Sequence, residues 1–217
     1  MVQSFNPAGL RAAFALLRRP HMLMPHIAVP DMRTIPYEAL HAAGIKYLVF
    51  DKDNCLTAPY ANHIHPEFAA AWSRCLALFA RSSILIVSNS AGTPDDIDAC
   101  AAAAVESALA VPVLRHTEKK PACGPEILAA LGAKRPDEVA VIGDRLATDV
   151  VLANANGMLA IWTTNIVSAQ GDNPVAAALR SLEHHAYGVL RRRNIRPPAH
   201  PLEHKLQSYI SKDSNKI

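Results

Sequence analysis

The sequence predicts an α/β protein, a parallel sheet covered by helices on both faces. From Ile45 onward, short apolar runs alternate with helical stretches, the signature of strands joined by helical crossovers and buried on both sides. Polar or charged residues close almost every run. Right-handed crossovers bring those strand ends to one edge of the sheet, where such folds bind their ligands.

The elements follow in order. IKYLVFD (45–51) reads as a strand ending in an acid, and a helix is expected near 66–81. SILIVS (83–88) is a second strand. An Ala-rich helix follows over 95–109, with Asp95 and Asp96 in its first turn, where carboxylates suit the positive end of the dipole. VPVLRH (111–116) reads as a third strand, 124–132 as a helix and EVAVIGD (138–144) as a fourth strand. A helix near 147–156 and the strand MLAIWTT (158–164) complete the alternation. Trp72 and Trp162 fall in apolar patterns and are expected in the core. His184 and His185 are expected on a solvated helix face. Arg191, Arg192 and Arg193 are expected at a solvated helix end, with lipid contact as the alternative.

Composition bounds the function. Half of the 217 residues are apolar and 19% are charged, which excludes a disordered chain. No uninterrupted apolar run is long enough to span a bilayer. Cys55, Cys75, Cys100 and Cys123 include no CxxC pair, against a zinc finger or thioredoxin-type site; free, mostly buried thiols are expected. Residues 1–30 carry +3 and residues 191–217 carry +5, leaving −5 on the body between. An acidic body with basic ends suits an anionic surface more than a nucleic-acid groove.

Three regions follow from this. Residues 1–30 are expected as a basic amphipathic membrane or targeting segment. Leu10, Ala13, Phe14 and Leu17 share one helical face, Arg11 and Arg18 another, and no acid is present. A plain helix packed on its own domain is the alternative. Pro20, Pro25, Pro30 and Pro36 are expected to keep the next stretch irregular. Residues 31–192 make the expected catalytic domain. Residues 193–217 read as a basic tail, mobile or bound to a partner. Apolar residues at the N-terminus could also bury in a second subunit, giving a homo-oligomer.

The strand ends deliver a coherent set: Asp51-Lys52-Asp53-Asn54, Ser88-Asn89, Lys119-Lys120 and Gly143-Asp144, with Asp149 one turn further on. An isolated Asp after a strand is usually a turn or cap residue; four such ends in this order point to one crevice. Asp51, Asp53 and Asp144 would repel one another unless a cation sat among them, and oxygen-only donors suit Mg2+. A carboxylate beside that ion stays ionised and can attack phosphorus, forming an aspartyl-phosphate. Lys120 and Ser88 are placed to stabilise the charge that develops on the transferring oxygens. An acid two residues after the nucleophile can protonate the leaving alkoxide and then deprotonate water.

The set resembles the haloacid dehalogenase superfamily. LVFDKDNCLT matches its first motif, ILIVSNS the second, Lys120 of KKP the third and GDRLATD the fourth. The resemblance implies a Rossmann-like fold of haloacid dehalogenase type, with Asp51 as nucleophile and Asp53 as general acid/base. It implies Mg2+ held by the Asp51 carboxylate, the Asp53 carbonyl and Asp144, with Asp149 supporting the metal or the lysine. Asp at the second motif position implies a phosphatase; the ion-pumping branch has Thr there. Cys55 departs from the usual Thr and reads as a small buried residue. The gaps after Asp53 and between the second and third motifs are too short for a large cap domain.

Residues 25–165 are further similar to the mitochondrial phosphatidylglycerophosphate phosphatases, through DKDNCLT, VLRHTEKKPACGPEIL and VAVIGDRLATDVVLANANG. That resemblance implies hydrolysis of phosphatidylglycerophosphate to phosphatidylglycerol, on the route to cardiolipin, by a protein peripheral to the matrix face of the inner mitochondrial membrane. Asn89, Arg115, His116, Lys119 and Arg145 are the candidates for gripping the phosphoglycerol, with surface ion pairs or strand-end caps as the plain alternative. Two rival functions remain open at this point: a soluble phosphatase for small phosphomonoesters, and a non-catalytic membrane scaffold.

Overall fold

A computed structural model describes residues 18–172 and 174–210. Its centre is a five-stranded, all-parallel sheet in the order β1-β5-β4-β2-β3. The strands are β1 (Ile27–Val29), β2 (Tyr47–Phe50), β3 (Ile84–Ile86), β4 (Val139–Gly143) and β5 (Leu159–Thr163). The helices are α1 (Tyr37–Ala43), α2 (Ala69–Leu78), α3 (Cys100–Leu109), α4 (Gly124–Leu131), α5 (Val151–Ala155), α6 (Pro174–Arg192) and α7 (Glu203–Ile210). The expected fold class is therefore present.

The sheet divides the core by strand alternation. Leu48, Phe50, Ile84, Ile86, Ala140, Ile142, Leu159 and Ile161 face one apolar cluster. Val49, Leu85, Val139, Val141, Ala160 and Trp162 face the other. Neither face meets water, which is why these strands read as continuous apolar runs. Trp72 and Trp162 are both buried. Cys55, Cys75 and Cys123 are free and buried, and Cys100 is free and exposed.

Four sequence expectations need correction. The strand expected at 111–116 is reduced to one parallel bridge between Val113 and Ile86. Pro112 has no N–H to offer the ladder, and the His116 N–H that would continue it donates to the Gly92 carbonyl at 2.8 Å, so the pairing stops at both ends. The helix expected from 95 starts at Cys100, because Asp98 and Ala99 take left-handed conformations with φ of 54° and 53°. Asp96 rather than Asp95 closes the helix end, accepting from the amides of Gly92, Ala101 and Ala102.

The proline-punctuated stretch is not irregular throughout. Ile27–Val29 pairs with β5 at the sheet edge, where flanking prolines break no central ladder. Nor is the stretch 193–210 loose. His26 meets the Pro198 carbonyl at 3.0 Å, Lys205 Nζ donates to the Ala43 carbonyl at 3.1 Å, and Leu206 is fully buried. The amphipathic pattern at Leu10–Leu17 and residues 211–217 lie outside the described residues. Among the described residues, no helix is long and apolar enough to cross a membrane.

Candidate active site

The carboxyl ends of β2, β3 and β4 open into a cleft of about 260 Å3 lined by Asp51, Asp53, Ser88, Asn89, Lys120, Asp144, Arg145 and Asp149. Segments far apart in sequence thus meet where a parallel sheet places its ligand.

Asp51 continues β2, its amide donating to the Ile142 carbonyl at 2.8 Å. The loop after it closes tightly: the Leu56 and Thr57 amides donate to the Lys52 carbonyl, and Asn54 sits at φ 63°. Lys52 is buried beneath this loop, its ammonium bonding Asp53 Oδ1 at 2.6 Å and the Ala61 carbonyl at 2.9 Å. The Tyr60 amide also donates to Asp53 Oδ1, at 2.9 Å. Asp53 Oδ2 has one long contact, the Ser90 hydroxyl at 3.4 Å. This less engaged oxygen sits in the cleft on a side chain that is 31% exposed.

Lys120 is the hub. Its buried ammonium donates to Asp51 Oδ1 and, at 2.7 Å, to Asp149 Oδ1. Asn89 Oδ1 accepts its backbone N–H at 3.0 Å, so Asn89 acts on the lysine segment. Asp149 is anchored in turn by the Arg145 amide at 3.1 Å. Gly143 is required beneath it, since an added Cβ would fall 2.3 Å from Asp149 Cγ. Ser88 Oγ accepts from the Ser90 and Ala91 amides, ordering the loop after β3.

Burial sets the electrostatics. It pushes Asp51 up to about 6, with Lys120 opposing and Asp149 adding repulsion. Burial also holds Asp144 well above the carboxylate range, reinforced by Asp51 and Asp149 and opposed by Arg180 and Lys120. Burial alone would lower Lys120, but Asp149 and Asp51 outweigh it and hold the ammonium above its ordinary value. Three buried acids, Asp51, Asp144 and Asp149, thus share two cations, Lys120 and Arg180, and repel one another.

That imbalance fits a hard divalent cation in donor chemistry, since every acid here offers oxygen. Among the described residues, no three His, Cys, Asp or Glu side chains are arranged to hold an ion by themselves. Lys120 draws Asp51 to Asp149, while Arg180 approaches Asp144. Mg2+ suits such a partial protein cage, because it keeps waters and takes substrate oxygens as ligands.

Sequence reasoning missed Arg180. Its Nε lies 3.0 Å from Asp144 Oδ2, an ion pair without hydrogen-bond alignment. Its two terminal nitrogens clamp Asp172 at 2.8–3.0 Å, and Asn54 Nδ2 reaches the same carboxylate at 3.1 Å. These contacts staple α6 and the segment before it over the first-motif loop. Arg180 carries no local motif; only the fold brings it to the cleft.

The expected substrate-gripping residues separate. Arg145 lines the cleft but is held by Glu183 at 3.0 Å. Arg115, His116 and Lys119 do not line it. Arg115 pairs with Glu106. His116 is buried, bridging the Ser88 and Glu118 carbonyls at 3.0 and 2.7 Å. Lys119 pairs with Asp95 at 2.6 Å on the surface.

A family model described as mitochondrial PGP phosphatase matches residues 8–168. The chain belongs to this family. It is 40% identical over 205 residues to the chloroplastic phosphatidylglycerophosphate phosphatase 1 of Chlamydomonas reinhardtii, covering 92% of this chain and 74% of that protein. Identity to the mitochondrial phosphatidylglycerophosphatase of Saccharomyces cerevisiae is 36% over 175 residues, 79% of this chain and 93% of the yeast protein. The chloroplastic/mitochondrial phosphatidylglycerophosphate phosphatase 1 of Arabidopsis thaliana is 36% identical over 211 residues, 96% of this chain and 59% of its own length. These relationships agree with the haloacid dehalogenase resemblance carried by the four motifs.

Proposed function

We propose that this family member is a phosphatidylglycerophosphatase, removing the terminal phosphate of phosphatidylglycerophosphate through an aspartyl-phosphate on Asp51. The observation that carries the reading is Asp51 held by buried Lys120 at the end of β2, with Asp53 beside it in the same cleft. Phosphate binding alone would not call for an adjacent second acid.

In the first step an Asp51 oxygen bonds to phosphorus as the phosphorus–glycerol oxygen bond breaks. Asp53, through Oδ2, gives its proton to the departing alkoxide. In the second step Asp53 takes a proton from water, whose oxygen attacks phosphorus and releases Asp51 and inorganic phosphate. Lys120 holds the nucleophile in place and offsets charge on the equatorial oxygens. The Asp51 and Asp144 carboxylates and the Asp53 carbonyl would hold Mg2+, with Asp149 behind them. When bound, the ion supplies charge stabilisation for the phosphoryl oxygens. The family description supports a mitochondrial place, and the basic ends of the chain support peripheral attachment to an anionic membrane, here read as the matrix face of the inner membrane.

The test is phosphate release from phosphatidylglycerophosphate in mixed micelles with Mg2+, against glycerol 3-phosphate as the small-ester comparison. Preferential hydrolysis of the lipid, lost with chelator and in Asp51→Asn, is expected. Equal or better hydrolysis of glycerol 3-phosphate would shift the reading to a small-molecule phosphatase. Lipid hydrolysis persisting in Asp51→Asn would remove the aspartyl-phosphate.

A further inference from the structure

The first turns of α6 present an uncharged outer surface. Val175, Ala178, Leu179 and Leu182 recur at the spacing of a single helix face, and all four are exposed. Val175 is 63%, Leu179 44% and Leu182 64% open to solvent. In a soluble helix such a stripe normally faces the core. Here the inward positions are taken by the charged residues. Arg180 turns to Asp144 and Asp172, and Glu183 turns to Arg145 and the amides of Leu146 and Ala147. Tyr60, 72% exposed, lines the same cleft as Ala176 and Arg180 of these turns. At the far end of α6 the charge becomes positive. Arg191 and Arg192 close the helix, Arg193 and Arg196 follow, and no acid occurs between Glu183 and Glu203.

We propose that the Val175–Leu182 stripe, together with Tyr60, is the face on which this protein rests on an anionic lipid bilayer. Leu179, Leu182 and Val175 enter the boundary between headgroups and acyl chains, and the arginines after Glu183 engage lipid phosphates. Two observations select a lipid surface over a protein partner. The charges next to the stripe, Arg180 and Glu183, turn inward to partners, and those that follow along the chain up to Arg196 are positive, complementary to anionic headgroups. The stripe also borders the cleft mouth, so docking through it presents the cleft to headgroups, whereas a second copy seated there would cover the mouth. The inference rests on the proposal that a lipid phosphate is the substrate, and it adds the surface through which that substrate is approached.

The test uses the full chain and vesicles of phosphatidylcholine with and without phosphatidylglycerol. Leu179→Asp combined with Leu182→Asp changes exposed residues only, and circular dichroism checks the fold. Binding to anionic vesicles, read by sedimentation, is expected to weaken by about tenfold or more, a factor worth about 1.4 kcal/mol. Hydrolysis of phosphatidylglycerophosphate in those vesicles falls with it, while hydrolysis in detergent micelles is unchanged. In a second variant, Leu182→Trp, added anionic vesicles shift the extra tryptophan emission to the blue. Unchanged vesicle binding by the double variant, or no blue shift, would overturn the docking face. So would a loss of self-association with vesicle binding intact, which would assign the stripe to a second copy. Wild-type protein inactive on the lipid in both vesicles and micelles would instead count against the phosphatase reading.

Discussion

Two buried polar clusters share the sheet and are built in opposite senses. Beyond β2 and β4, Asp51, Asp144, Asp149, Lys120 and Arg180 keep formal charges out of water. Beside the β1–β5 edge, His26 and Asn154 are equally buried but neutral. The Ala160 N–H donates to His26 Nδ1 at 3.0 Å, so Nε2 carries the proton and donates to the Pro198 carbonyl. A second ring proton would set one N–H against another. Burial, with His200 adding to it, accordingly lowers His26 to about 4. Asn154 Nδ2 donates to the Met22 and Met24 carbonyls at 2.8 and 2.9 Å. Neutral polarity holds chain segments together at less cost than buried charge, even with Asn154 Oδ1 left unbonded, whereas uncompensated charge is kept where a reaction needs it.

Substitutions should break the two clusters differently. Lys120→Met leaves Asp51 and Asp149 buried without their shared cation. A loss of about 3–5 kcal/mol in unfolding free energy is expected by denaturant titration. Phosphatase turnover should fall with it by at least about 100-fold, the scale seen when one charge-stabilising donor is removed. A variant with normal turnover would show that the lysine is only a structural counter-ion.

The histidine corner is sensitive to pH alone. His26 ordinarily titrates at 6.5 and is lowered to about 4 in the fold. The unfolded chain therefore takes up a proton that the folded chain refuses. The contribution is complete above pH 6.5 and is lost as pH falls from there toward 4. Its full size is about 3 kcal/mol. Urea midpoints measured at intervals across that range should fall on acidification, and His26→Gln should flatten the change. An equal fall in His26→Gln would assign the acid sensitivity elsewhere. The smallest effect is expected for Asn154→Ala, which strips two carbonyls of their donor. It should cost about 1–3 kcal/mol in thermal or urea unfolding while turnover stays normal.

The cleft was more legible in the sequence than the corner. Asp51, Ser88 and Asp144 each follow an apolar run, and the chemistry of the acids gave them a shared purpose before any fold was known. β1 was hidden because a three-residue edge strand between prolines has no periodicity to detect. The strand read at 111–116 failed at both ends, Pro112 having no N–H to give and the His116 N–H going to the Gly92 carbonyl. Arg115 and His116, singled out by resemblance, serve local packing: one holds α3, the other ties the Ser88 loop to the lysine segment. Arg180 and Asp172 escaped notice, and Lys52 was named at its strand end without a role, because their partners are set by tertiary contact or by loop closure, which no local pattern encodes.

The central claim is that Asp51 becomes covalently phosphorylated during turnover. Reaction with phosphatidylglycerophosphate, rapid quenching and borohydride reduction, followed by peptide mass spectrometry, tests it directly. The account expects Asp51 converted to homoserine in wild-type protein, with no conversion without substrate or in Asp51→Asn. Active turnover leaving Asp51 unreduced, or the mark on another acid, would contradict it.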